Sequence, residues 1–336
     1  MYWYFAFALI GAATISFYSC NKEDDNKVPV LSTTEIKKIT QTTAFSGGNI
    51  TDIEETPITA IGVCWSTNQN PTINDSRTKD GTTVGSFSSI ISGLKPNTTY
   101  FVRAYATNSA GTGYGSTLSF TTLEEVTDAD GNSYATILIG NQIWFAENLR
   151  TTKYNDGSNI PTGHTNEEWA SLSNGAYSIY PHSQIDNLNS DAEVMHTYGA
   201  LYNWYAVETG SLCPTGWHVP TDAEWYAMES YIDPNINDPH AKGWRSTYGG
   251  IKLKTSSGWK SSGNGSDAFG FSALPGGGRT FYGTFGALGD ISIWWSSSEF
   301  DETNALFRSI DKHIMGVLRN NHYKRPGHSV RCVRDN

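Results

Sequence analysis

Two folded units in series, an all-β sandwich followed by an α+β domain, are the fold class that the sequence predicts. Three observations point to it. Residues 30–122 break into short β-branched and aromatic runs bounded by turn residues. After a short linker over 122–125, residues 126–335 carry strand and turn signals around one well-delimited helix. The composition, 13% aromatic and 17% charged with 33 Gly, suits short strands, turns and ordered loops. A length of 336 residues is enough for two hydrophobic cores. The formal net charge of −10 speaks for solubility and against a nucleic-acid partner.

The chain begins with an apolar stretch, Tyr2 to Ser19, that contains no Lys, Arg, Asp or Glu. Cys20 and the polar run Asn21-Lys22-Glu23-Asp24-Asp25 follow at once. A short apolar segment ending in a small residue reads as a secretory signal over residues 1–19. The junction Ser19-Cys20 resembles the lipobox of bacterial lipoproteins. Phe17 and Tyr18 stand where that pattern has Leu and a small residue, and no basic residue precedes the stretch. The resemblance implies that Cys20 is acylated and ties the chain to a membrane, which more than one acyl chain does stably. Residues 20–29 then form an acidic tether. Its Lys22-Glu23-Asp24-Asp25 run resembles the export signal of Bacteroidota lipoproteins, which implies an outer-membrane, outward-facing location. An ordinary solvated charge run, a cleaved signal without lipid and an uncleaved membrane helix are the alternatives these residues leave open.

Four cysteines are present. With Cys20 acylated, Cys64, Cys213 and Cys332 remain, enough for one pair and one free thiol. Cys64 lies in the apolar run Ile61-Gly-Val-Cys-Trp65 and reads as a buried free thiol. Cys213 and Cys332 are then the disulfide candidates in an oxidising compartment.

Within residues 30–122, Ile58 to Trp65 is a β-branched, apolar strand. Thr99 to Ala106 alternates, with Tyr100, Val102, Ala104 and Ala106 on one face. Asn108 to Gly111 is a turn, and Gly113 to Thr122 makes a last strand. Gly93-Leu-Lys-Pro-Asn-Thr-Thr-Tyr100 resembles the tyrosine corner of fibronectin type III domains, in which the Tyr hydroxyl bonds backbone a few residues upstream. Pro96 presets the turn and Leu94 plugs the core. With Val102 to Gly111 and Gly62 to Ser66, the segment is similar to the fibronectin-III-like modules of Bacteroidota surface proteins, which implies a spacer without a site of its own. Asn97-Thr-Thr99 also fits a glycosylation sequon, but the turn explains those residues without it.

The second unit opens with Asp128-Ala-Asp-Gly-Asn132, where Asp130-Gly131 predicts a hairpin turn. Asp128, Asp130 and Asn132 are alternatively spaced as calcium ligands, though no distal bidentate Glu follows. Ala135 to Ile139 reads as a strand, Gly140-Asn-Gln as a second turn, and the apolar run Ile143 to Leu149 follows. Tyr198 to Tyr205 is a short helix or a packed aromatic segment. Thr221-Asp-Ala-Glu224 is a capping box, with a helix through Trp225, Met228 and Ile232 that stops before Pro234.

Several phrases of this unit closely resemble the Fibrobacter succinogenes major paralogous domain: Ile139 to Leu149, Tyr154 to Gly157, Ala200 to Tyr205, Cys213 to Trp225, Gly270 to Arg279, Trp294 to Glu299 and Ser329 to Arg334. That family supplies no settled activity. A looser likeness links Val219 to Trp225 and Ser329 to Val333 with formylglycine-generating enzymes, which have a C-type-lectin-like fold. It implies termini that meet and a bond between a Cys near the helix and one in the last strand, a geometry that suits Cys213 and Cys332. Closing so long a loop stabilises by about 4–5 kcal/mol in the chain-entropy account.

Chemistry is sparse. No G-x-S-x-G elbow, H-E-x-x-H or P-loop occurs, and the eight His are scattered without metal spacing. His218 reads as structural, and Asp222 and Glu224 as parts of a helix cap rather than a carboxylate pair. Formylglycine-generating chemistry needs reactive cysteines, which a disulfide would consume. No cofactor is expected. The preferred reading is a non-catalytic surface protein that binds a glycan or a surface protein through the loops between Trp244 and Glu299. Trp244, Trp259, Arg279, Tyr282 and Asp290 are the candidate binding residues, on Gly-rich loops carried by a rigid scaffold. Trp294, whose neighbours Ile291 and Ile293 suggest a buried strand, reads as core. A structural or assembly subunit of a surface complex is the alternative, with an enzyme behind both.

Overall fold

The computed structural model describes residues 27–53 and 56–335. The signal segment 1–19, the acylation position Cys20 and the tether up to residue 26 lie outside the described residues.

The first unit is a β-sandwich. Strands Val30–Thr33, Thr43–Asp52 and Ser86–Ser92 form one antiparallel sheet. Ser76–Arg77, Ala60–Ser66, Thr99–Asn108 and Gly111–Tyr114 form the other, and Leu118–Thr121 also pairs with Thr99–Asn108. Alternation decides which side chains enter: Ser89 and Ile91 are buried while Ser88 and Ile90 are exposed. Ala44, Val63, Ile91, Leu94, Tyr100, Val102 and Phe120 meet in the core. The Tyr100 hydroxyl accepts the Lys95 N–H at 3.1 Å, the upstream bond of a tyrosine corner. The strand expected from Gly113 to Thr122 is instead two strands separated at residues 115–117. Both pair with the long Thr99–Asn108 strand at different points along it, so the chain must step between them. Cys64 is a free, buried thiol at 3.4 Å from the Pro71 carbonyl, and burial pushes its pKa up to about 11.

The second unit starts with the hairpin Val126–Thr127 and Ser133–Tyr134, in which Gly131 takes the left-handed φ of +82° that the turn needs. Strands Thr136–Ile139 and Gln142–Phe145 form the next hairpin. The latter pairs with Val333–Arg334 at Trp144 and Val333, so the first and last parts of this unit lie side by side. Trp217–His218 completes that sheet. Cys213 and Cys332 form a disulfide with Cα atoms 6.0 Å apart.

The helix Asp222–Ile232 carries the full capping box: Thr221 accepts from Glu224 N–H and the Glu224 carboxylate accepts from Thr221 N–H. Trp225, Met228 and Ile232 face inward, and Asp233 closes the helix before Pro234. Trp225 packs on Trp144 at 4.9 Å between ring centroids. The larger sheet is Gly243–Trp244, Leu318–Tyr323, Asn304–Asp311 and Ile291–Asp301 in that order. Trp294 and Trp295 are both buried although they are neighbours on one strand, because each face of that strand meets a different core. Their indole N–H groups donate to Asn148 Oδ1 and to the Tyr202 carbonyl. The segment around Tyr198–Tyr205 resolves into the short strand Leu201–Tyr202 and the one-turn helix Trp204–Val207, capped by Asn203.

Candidate functional site

The turn between the strands Ile291–Asp301 and Asn304–Asp311 is held by Asp301. One of its carboxylate oxygens accepts from Thr303 N–H, Asn304 N–H and the Thr303 hydroxyl, which sets Glu302 and Thr303 at the sheet end. Lys324 N–H then donates to the Thr303 carbonyl at 3.1 Å and brings the end of Leu318–Tyr323 beside that turn. A second hairpin, Gly278–Arg279 with Phe285–Gly286, holds Phe281 and Tyr282 at its tip. Gly283 is required there. Its φ is +87°, and a Cβ would lie 2.4 Å from Asn166 backbone.

These elements enclose a cleft of about 400 Å³. Its aromatic lining is Tyr205, Phe281 and Tyr323, and its polar lining is Glu302, Thr303, Lys324 and Arg325. Phe281 meets Tyr323 edge-on at 5.6 Å and lies 3.9 Å from the exposed ring of Tyr282. Lys324 is committed to the scaffold: it pairs with Glu299 and, at 3.8 Å, with Glu208, and stands 4.6 Å above the Trp204 ring. Arg325, which also lines the cleft, donates one Nη1 bond to the Ala170 carbonyl at 3.1 Å. The cleft thus combines three aromatic rings with four polar side chains.

Of the residues expected to bind, only Tyr282 stands beside this cleft, and it is 67% exposed. Trp259 is instead core. It is 5% exposed, its indole N–H donates to the Ala273 carbonyl at 3.1 Å, and it packs with Trp225 and Phe271 in one cluster. Arg279 is 4% exposed and bonds the carbonyls of Gly283, His164 and Thr165 while stacking over Trp169. Burial without a carboxylate partner lowers its pKa to about 10. Asp290 is taken up by Lys312 at 2.7 Å. Trp244 is exposed but pairs with Leu318, at the opposite end of the strand from Tyr323 and about 17 Å from it at the usual strand rise. The loop surface expected between Trp244 and Glu299 is therefore not one surface.

At Asp128, Asp130 and Asn132, the calcium alternative, the side chains are engaged in hydrogen bonds. Asp128 accepts from Asp130 N–H, Asn132 N–H and the Tyr134 hydroxyl. The Asp130 carboxylate turns instead to Thr151, Thr152 and Lys153. The carboxylates serve the hairpin and its neighbour separately rather than converging. Among the described residues, no group of three or more His, Cys, Asp or Glu is placed to hold a metal ion.

Asp222 and Glu224 diverge as well. Burial opposes ionisation of Asp222, but its bidentate bond to Arg319 and the nearby Arg308 outweigh burial and hold the carboxyl below its ordinary range. Glu224 faces His218 at 2.8 Å, and His218 Nδ1 reaches Asp335 at 2.5 Å. The Glu224 bond, reinforced by Asp335, lifts the His218 pKa to about 9. His218, between two carboxylates, ties Asp335 to the helix cap.

Sequence reasoning missed Tyr205, Phe281, Tyr323 and Arg325. The one available signal was the pair Phe281-Tyr282 between Arg279-Thr280 and Gly283-Thr284, two adjacent aromatics in a tight turn where one face must be open.

The family model described as the Fibrobacter succinogenes major domain matches residues 137–334. No curated protein matches the chain. Among solved structures, the sensor domain of the anti-sigma factor RsgI4 in Pseudobacteroides cellulosolvens is 23% identical and covers 29% of this chain and 97% of its own, with a TM-score of 0.23. The fn3 domain of human contactin 1 is 18% identical over 35% of this chain and 89% of its own, with a TM-score of 0.22.

Proposed function

Because this chain belongs to the Fibrobacter succinogenes major domain family through residues 137–334, we propose that it is a lipid-anchored protein of the outer membrane that binds glycan non-catalytically at the outer cell face. The observation that carries the binding reading is the cleft of Tyr205, Phe281 and Tyr323, with Glu302 and Arg325 at its edge. Aromatic faces cover the apolar C–H faces of a pyranose, and a carboxylate and a guanidinium offer acceptor and donor pairs to vicinal hydroxyls. Of the charged groups that line this cleft, Lys324 is paired with Glu208 and Glu299 and Arg325 is bonded to a backbone carbonyl, while Glu302 stays available to a ligand.

Anchoring rests on the apolar run before Cys20 and the acidic tether after it. Among the described residues no helix is long and apolar enough to cross a membrane. The β-sandwich of residues 30–122 serves as the spacer that lifts the second unit off the surface. A C-type-lectin-like architecture for that unit is part of the same reading, supported by the pairing of Trp144 with Val333 and by the Cys213–Cys332 bond near them.

The experiment is a glycan-array screen of the full chain with Phe281→Ala and Tyr323→Ala variants. Each ring contributes about 1 kcal/mol or more, so affinity for a bound sugar should fall roughly fivefold or more per variant. Binding that survives both substitutions removes the cleft from the proposal. Cys20→Ala should release the protein from membranes, and unchanged retention without acyl label removes the anchor.

A further inference from the structure

Phe281, one wall of the cleft, stands on the outer member of a histidine pair. Its ring centroid lies 6.1 Å from that of His322. His322 in turn meets His328 at 5.9 Å, nearly perpendicular at 86°. His328 is 5% exposed and packs on Trp295 at 4.2 Å and Phe307 at 5.7 Å. Neither ring nitrogen of His328, nor Nδ1 of His322, has a hydrogen-bond partner. Sequence gives no hint of this pair, since six positions separate the two residues.

We propose that the His322–His328 pair makes the cleft acid-sensitive: when the imidazoles take up protons, the Phe281 wall they support separates from Tyr323 and the cleft loosens. The inference rests on reading that cleft as the binding site. An imidazolium needs acceptors for both N–H groups, and here, apart from the backbone beside each ring at Gly327 and Tyr323, it would face aromatic rings and a second imidazole. The surrounding charged and titratable groups offer no relief. Arg308, on the strand of Phe307, is held by Glu229 and Asp222. Arg319, on the strand of His322, is held by Asp222. Glu299, on the strand of Trp295, is held by Lys324. Arg279, on the strand beside His328, is bonded to carbonyls. The Tyr202 hydroxyl donates to the Thr151 carbonyl, while the Tyr282 and Tyr323 phenols lie toward the exposed side.

The main chain of His328 cannot yield first, because it exchanges two hydrogen bonds with Tyr202, at 2.8 and 3.0 Å. Side chains must move, and half-buried Phe281, next to the exposed Tyr282, has solvent beside it to move into. Burial holds His328 down to about 3, with His322 a further cause, and also lowers His322. The loosened state binds protons near the ordinary imidazole value of about 6.5, so acid favours it.

Amide hydrogen exchange of the ligand-free full chain, corrected for intrinsic rates, tests this between about pH 7.5 and about pH 5. Protection over residues 280–284 and 319–327 should fall by up to about tenfold per imidazole for each pH unit below the imidazole value. Protection in the Asp222–Ile232 helix should hold. His322→Phe and His328→Phe should each weaken the acid response, and His322→Gln serves if the buried His328→Phe fails to fold. Protection that is independent of pH, or that falls equally in wild type and in the folded His322 variants, overturns the proposal. The glycan array read at the two pH values separates this failure from the other: no binding near pH 7.5 sinks the reading of the cleft, while the exchange result still decides the acid response.

Discussion

The carboxylate of Glu229, on the buried face of the Asp222–Ile232 helix, grips Arg308 on the central Asn304–Asp311 strand and also Arg245. All three side chains are at most 2% exposed. Asp222 joins Arg308 at 2.8 Å and Arg319 at 2.7 Å, so two carboxylates and three guanidinium groups lock helix to sheet. Removing one charge from such a cluster strands the others without solvent. Glu229→Gln should therefore cost about 3–5 kcal/mol. A thermal melt should show a fall in Tm on the order of 10 °C. A change within about 1 kcal/mol would mean that the cluster relaxes or hydrates.

The Cys213–Cys332 bond closes a loop across 119 positions. The entropy removed from the unfolded chain is worth about 4–5 kcal/mol, less any native strain. Cys332→Ala should lower the unfolding free energy by that order and so shift the denaturant midpoint down. A reductant should do the same to wild type and nothing further to the variant. Equal midpoints with and without reductant in wild type would count against the bond.

His218, with its folded pKa lifted to about 9 by Glu224 and Asp335, predicts a pH dependence with a definite sign. A raised pKa means that the folded state binds the proton more tightly. The stabilisation is complete below the unfolded value of about 6.5 and is lost as pH rises toward about 9. Tm measured across that window should decline in wild type and stay flatter in His218→Asn. The groups are partly exposed, so the decline should shrink in high salt.

Trp259 and Tyr282 should part company on substitution. Trp259→Ala removes a buried indole and should cost about 3–5 kcal/mol. Tyr282→Ala, at a 67% exposed position, should leave stability within about 0.5 kcal/mol while weakening any ligand held in the cleft. Comparable stability losses for both would contradict the burial described here.

Local chemistry made much of this protein legible from sequence. Thr221 and Glu224 cap a helix because the reciprocal bonds need only residues three apart. The Asp130-Gly131 turn, the Tyr100 corner and the alternation of Thr99–Asn108 are likewise written within a few positions of one another. The Cys213–Cys332 pairing follows from the count and from the family resemblance, and the structure contains it. Exposure was not legible. Trp244 and Trp259 look alike in their Gly- and Ser-rich surroundings, yet one sits on a sheet edge and the other inside an aromatic cluster. Arg279 reads as a surface donor, but carbonyls of residues 164 and 165 were waiting for it across more than a hundred positions. The cleft draws on residues 205, 281, 302 and 323–325, which meet only because the meander of Ile291–Tyr323 and the Gly278–Gly286 hairpin end at the same place. Short-range hydrogen bonding is a property of neighbours in the chain, so sequence determines it. Burial depends on which face of an element meets another, and that is decided only when the sheets and helices pack.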